Sequence, residues 1–85
     1  MTASKYLSPS EIATLRETLK LSEGEFASRI GVTDRQLVKL YESGAQRPDE
    51  KVHKAILRLL QRTAGRSPKL KKLLATVRSR TVDIQ

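Results

Sequence analysis

From Ser22 to Gly44 the chain reads SEGEFASRIGVTDRQLVKLYESG, two short amphipathic segments hinged on Gly31, and this stretch limits the fold more than any other. Phe26 and Ile30 stand four apart on one helical face, and Leu37 and Leu40 stand three apart on the next, so the two stripes are expected to close over a shared core. Ala27 falls where the helices approach most closely, and a larger side chain there would push them apart. Gly31 follows Ile30 at a helix end, where a left-handed backbone is commonly required and glycine adopts it without a Cβ clash. With Val32 plugging the turn, the stretch predicts a helix–turn–helix unit.

Three helix starts carry the same signal. Ser8 with Glu11, Ser22 with Glu25, and Thr33 with Gln36 each place a hydroxyl three residues before Glu or Gln, the reciprocal capping box. Leu7 with Ile12, Leu21 with Phe26, and Val32 with Leu37 supply the matching hydrophobic staples. Together with the apolar spacing they predict helices over 9–20, 23–30 and 34–43. Asp49 is the expected N-cap of a fourth helix over 50–63, burying Val52, Ile56, Leu59 and Leu60. Gly65 then breaks the chain, Ser67 caps, and Pro68 opens a fifth helix to about residue 80 with Leu70, Leu73, Leu74 and Val77 on one stripe. No strand-like alternation or internal repeat is present. The expected fold is all-α, a compact five-helix bundle. Its helix–turn–helix domain spans 1–65, and 66–85 form a basic amphipathic helix and tail, set on the same domain or at a dimer interface.

Eighty-five residues make one small domain with a modest core, too small for a deep substrate cavity. The absence of Cys removes any disulfide framework or thiolate zinc site. No apolar run approaches the roughly 20 residues of a membrane span and no signal-like segment is evident, which predicts a soluble cytoplasmic protein without a membrane partner. The only histidine, His53, sits near the start of the fourth helix with no cysteine or arranged acid beside it, so it reads as a partly exposed structural residue. Neither an enzyme nor a cofactor is expected.

Charge is unevenly distributed. Residues 1–50 carry seven Lys/Arg and eight Asp/Glu, whereas 51–85 carry ten Lys/Arg against Asp83 alone. A half this basic points to a polyanion, because neutralised phosphates release counterions and give salt-sensitive affinity. A helix–turn–helix unit places its second helix in the DNA major groove. With Leu37, Leu40 and Tyr41 expected inward, the opposite face presents Asp34, Arg35, Val38, Lys39 and Glu42. Arg35 would donate two hydrogen bonds to guanine O6 and N7, and Lys39 would reach a second guanine or a phosphate. Val38 would meet a thymine methyl, and Asp34 would accept from a cytosine N4 or orient Arg35, with Gln36 in the same turn shared between base edge and capping box.

The run from about Leu15 to Leu60 resembles the lambda-repressor/Cro (XRE-like) family of DNA-binding domains, on Arg16 in the first helix, Ala27 and Gly31 in the motif, and Pro48 ending the loop before the fourth helix. The resemblance implies a two-fold dimer on an inverted-repeat operator in double-stranded DNA, often acting as a repressor. It also implies a backbone grip by Gln46, Arg47 and Lys51, with Ser22 and Thr33 beside them. Similar domains occur in phage repressors, in antitoxins and in regulators encoded beside anti-CRISPR genes. Two departures stand out. One extra residue follows Gly31, so Tyr41 falls where the family often has Glu, and the family's ion pair between the first helix and the end of the third becomes Arg16 with Glu42. At the start of the second helix Glu23 replaces a frequent Gln, and its carboxylate opposes phosphate. Leu70, Leu73, Leu74 and Val77 are the candidate dimer surface, while Lys69, Lys71, Lys72, Arg78 and Arg80 would face flanking DNA. The alternative functions are an antitoxin-type module whose fifth helix masks a toxin or other partner protein, and RNA binding by the basic half.

Overall fold

Each of the first two helices starts on a serine that closes a capping box. In α1 (Pro9–Thr18) Ser8 Oγ accepts from Glu11 N at 3.3 Å while Glu11 Oε1 accepts from Ser8 N at 2.8 Å. In α2 (Glu23–Arg29) Ser22 Oγ accepts from Glu25 N at 3.1 Å and Glu25 Oε1 from Ser22 N at 2.8 Å. The computed structural model describes residues 6–82, with side chains as far as Ser79. The ends of the 1–65 and 66–85 units, together with the side chain of Arg80, therefore lie outside the described residues.

The third start departs from expectation. Asp34, not Thr33, caps α3 (Arg35–Ser43), its Oδ1 accepting from Gln36 N at 2.9 Å. An ionised carboxylate is a stronger acceptor than a hydroxyl, and it sits one residue nearer the helix. The Thr33–Gln36 box does not form. Asp49 caps α4 (Glu50–Thr63) as expected, accepting from Val52 N at 2.9 Å. A 3₁₀ turn over Ala64–Arg66 leads to α5 (Pro68–Val82), where Ser67 Oγ accepts from Lys69 N at 3.2 Å.

Three helices end alike. Past α1, Lys20 N donates to Glu17 O and Leu21 N to Arg16 O; past α2, Gly31 N donates to Ser28 O and Val32 N to Ala27 O; past α3, Gly44 N donates to Tyr41 O and Ala45 N to Leu40 O. This paired closure needs a left-handed residue at each end. Gly31 (φ 78°) and Gly44 (φ 82°) adopt it freely, while Lys20 (φ 58°) does so with a Cβ.

All five helices feed one apolar core. Ile12 and Leu15 of α1, Phe26, Ala27 and Ile30 around α2, Ile56, Leu59 and Leu60 of α4, and Leu70, Leu74 and Val77 of α5 are buried in a single cluster. From α3 that cluster takes Val38 and Tyr41, with Leu37 only half-buried and Leu40 exposed. Of the three side chains expected inward, Tyr41 is buried, while Val38 takes the place of Leu37 and Leu40 in the core, as the one-residue shift in the cap requires. The fold is all-α, and among the described residues no strand occurs and no helix is long and apolar enough to cross a membrane.

Candidate nucleic-acid interface

Rotating α3 by one residue changes the face it offers. With Val38 fully buried and Tyr41 at 4 % exposure, the outward stripe becomes Gln36, Lys39, Leu40 and Ser43, spaced i, i+3, i+4, i+7, with Arg35 beside it in the first turn. Val38 was expected among the base contacts, and this is corrected: a side chain in the core reaches no ligand. Leu40 takes the apolar place on the outer face at 36 % exposure, the one large hydrophobic side chain left exposed among the described residues. Asp34 is exposed but engaged as the cap, and Thr33 is exposed with no capping role. Gln36, relieved of the capping box, keeps its amide on the outer stripe. Counting back from Glu42 rather than forward from Thr33 would have found this register.

Glu42 is removed from the outer face by a specific partner. Arg16 Nε donates to Glu42 Oε2 at 2.6 Å and an Arg16 terminal nitrogen to Oε1 at 3.1 Å, while its other terminal nitrogen donates to Leu21 O at 3.1 Å. The hydrogen bonds it donates to the Glu42 carboxylate hold the Arg16 guanidinium's pKa above its usual value. The ion pair implied by the resemblance therefore forms despite the displaced glutamate. Its effect is to neutralise a carboxylate beside the outer stripe.

Cations border the turn between α2 and α3. Arg35 and Thr33 share a shallow cleft with Gly24, Ser28 and Gly31, and on the other side Gly31 and Ile30 share a groove with Lys51, Lys54 and Arg58 of α4. Gln46 and Arg47 are exposed on the loop between α3 and α4. Ser22 Oγ is engaged in its capping box, and Glu23 and Glu25 crowd the same helix start, with Glu25 held below the usual carboxylate range chiefly by the Ser22 N–H. That end of α2 repels anions more than it attracts them. Lys51, Lys54 and Arg58 carry the positive strip instead.

Of the two readings of the α5 stripe, core or dimer surface, the burial of its side chains gives core. Leu70, Leu74 and Val77 are 0 %, 9 % and 1 % exposed within the chain's own core, and Leu73 is half-buried against it. These side chains face α1, α4 and the 3₁₀ turn, where an 85-residue chain with three aromatics has most need of apolar volume. His53 is likewise buried, at 8 %, rather than partly exposed, its ring stacked on Tyr6 with centroids 4.3 Å apart and planes 8° from parallel. Burial, followed by the nearby Arg47 charge, lowers its pKa. Among the described residues no three His, Cys, Asp or Glu side chains gather in a way that would hold a metal ion.

Comparison with protein-family models, with curated proteins and with solved structures finds no match to this chain.

Proposed function

We propose that the chain is a sequence-specific duplex-DNA-binding regulator, a cytoplasmic repressor in which α3 is the reading helix of a helix–turn–helix. The observation that supports this best is the outer stripe of α3, where an amide, an ammonium and a methyl-bearing side chain follow one another at helical spacing beside the Arg35 guanidinium. Those are the groups that tell base edges apart in the major groove. Arg35 and Lys39 suit guanine O6 and N7, Gln36 suits adenine N6 and N7, and Leu40 suits the thymine methyl.

An isolated exposed leucine is ordinary. Leu40 counts here because it lies in the middle of the polar stripe. Lys51, Lys54 and Arg58, with Gln46 and Arg47 on the loop, supply sequence-independent phosphate contacts on either side of the turn. The resemblance to lambda-repressor/Cro domains supports the same reading through Arg16, Ala27, Gly31 and Pro48, and adds a two-fold dimer on an inverted repeat. With Leu70, Leu74 and Val77 in the core, that dimer has to use another surface. The toxin-masking alternative loses the same surface. RNA binding by base stacking has little to work with, since Phe26 and Tyr41 are buried and Tyr6 is stacked on His53.

Binding titrations on duplex DNA at several salt concentrations test the proposal. Affinity should fall steeply with salt, Lys51→Ala should reduce the salt slope by about 1, and single-stranded RNA of equal length should compete poorly. Equal affinity for duplex and RNA would overturn it.

A further inference from the structure

From Lys51 to Val82 the chain carries no carboxylate side chain, and on α5 the resulting positive charge is gathered on one face. At about 3.6 residues per turn, the buried Leu70, Leu74 and Val77 put Ala75 and Ser79 at the centre of the opposite, exposed side. Lys71 and Arg78 border that centre on one side, Lys69 and Lys72 on the other, and all four are exposed. The surface between the two rows is low. Ala75 and Ser79 share a shallow groove there with Lys71 and Arg78. None of the four cations forms an ion pair with a carboxylate among the described residues.

We propose that this face grips a second segment of duplex DNA by one of its phosphate strands, so that a single copy of the chain holds two duplexes. Two rows of cations beside a low lane suit a linear polyanion, because a strand lying along the lane is met from both sides. The rise from Lys69 to Arg78 is about 14 Å, which covers about four phosphates of one strand for the four cations. Other partners fit this face less well. Single-stranded RNA sites use aromatic side chains for stacking, and α5 carries none. A helix lying on a membrane dips large apolar side chains into it, and a protein partner needs an apolar centre to the interface, whereas here the centre offers only Ala75.

The holding of two duplexes rests on the α3 reading above. α3 packs on α1 and α2, whereas α5 packs on α1, α4 and the 3₁₀ turn, and both bury their inner faces in the same core. Their outer faces therefore point in different directions, and the α5 cations meet a second segment rather than the flank of the duplex on α3.

Energy transfer between donor-labelled and acceptor-labelled duplexes of about 15 base pairs tests this, because pieces so much shorter than the roughly 150 bp persistence length do not wrap from one face to the other. Wild type should give transfer when duplex is in excess and lose it when protein is in excess. Lys71→Gln with Lys72→Gln, one from each row, should weaken the second duplex at least about tenfold and lower its salt slope by about 1.8, with the first duplex held as before. Lys20→Gln with Arg29→Gln removes the same charge at exposed positions elsewhere and should leave the transfer intact. Transfer that survives the α5 pair, that is lost equally in the Lys20 and Arg29 pair, or that never appears would overturn the proposal. So would displacement of the second duplex by single-stranded RNA or phosphatidylserine vesicles more readily than by unlabelled duplex at equal phosphate. Lys39→Ala with Lys51→Ala separates this surface from the α3 reading. If one duplex stays bound to that variant and is released on adding the α5 pair, both stand. If the variant binds duplex like wild type and the α5 pair alone abolishes all binding, the α5 surface stands, and the α3 reading falls together with the bridging.

Discussion

Arg16 and Glu42 lie 26 residues apart and tie α1 to the last turn of α3 through two hydrogen bonds, with side chains only 18 % and 13 % exposed. Because Arg16 also donates to Leu21 O, one guanidinium joins the end of α1 to α3 and restrains the rotation of α3 about its axis. Removing one member leaves a shielded charge without its partner. Glu42→Gln should destabilise the fold by about 2 kcal/mol by chemical denaturation, and the pair Arg16→Met with Glu42→Leu by less than the sum of the single changes. Strict additivity in that cycle would show that the two side chains do not interact.

The start of α3 gives a sharper test of register. Asp34→Ala should cost about 1 kcal/mol, whereas Thr33→Ala should cost only a few tenths, since Asp34 alone accepts from the first turn. The reverse order would restore the Thr33 cap, and with it Leu37 and Leu40 as the inward pair.

Lys20 holds a left-handed conformation (φ 58°) at the end of α1, where glycine would be free of Cβ strain. Lys20→Gly should therefore stabilise the protein by about 1 kcal/mol, visible as a higher midpoint at unchanged slope in urea. Destabilisation would mean that the lysine side chain contributes more than its backbone costs.

His53 should make stability depend on pH in a defined window. Its folded pKa lies below the ordinary 6.5, so above 6.5 both states carry the neutral ring and no stability is lost. As pH falls below 6.5 the unfolded chain takes up a proton that the folded one refuses, and stability declines until the lowered folded pKa is reached. Glu25 shares that preference for the deprotonated form when folded, with its pKa held below 4.5, so its loss also comes as pH falls, but further into acid. His53→Phe should flatten the decline just below pH 6.5 and leave the acid limb in place.

The starts of α1, α2 and α4 and the ends of α2 and α4 were legible because cap, apolar stripe and terminator agree on the same residues, as with Ser22, Phe26 and Gly31, whereas α1 stops at Thr18, short of the expected residue 20, on a left-handed lysine that no pattern marks. The rotation of α3 was not. Thr33 and Asp34 are adjacent, both able to cap, and Leu37/Leu40 and Val38/Tyr41 are both apolar pairs three apart, so local pattern alone chooses neither. The choice is made by tertiary contacts, above all Arg16 with Glu42, which permit only the later register. For α5, the spacing of Leu70, Leu74 and Val77 identifies an apolar face but not what covers it. The burial of His53 depends on Tyr6, which stacks on it only after the chain has folded.

On the proposed DNA-binding function, Gln36, Lys39 and Leu40, flanked by Arg35, read base edges while Val38 holds the core. Selection of binding sites from a random duplex pool, run on wild type and on Arg35→Ala, Gln36→Ala, Leu40→Ala and Val38→Ala, tests it most directly. One enriched inverted-repeat motif is expected. Arg35, Gln36 and Leu40 variants should each relax about one position per half-site at about 1–3 kcal/mol, and Val38→Ala should lower stability by about 2 kcal/mol with the motif unchanged. A pool that yields no preferred sequence, or a motif altered by Val38→Ala and indifferent to Gln36 and Leu40, would contradict it.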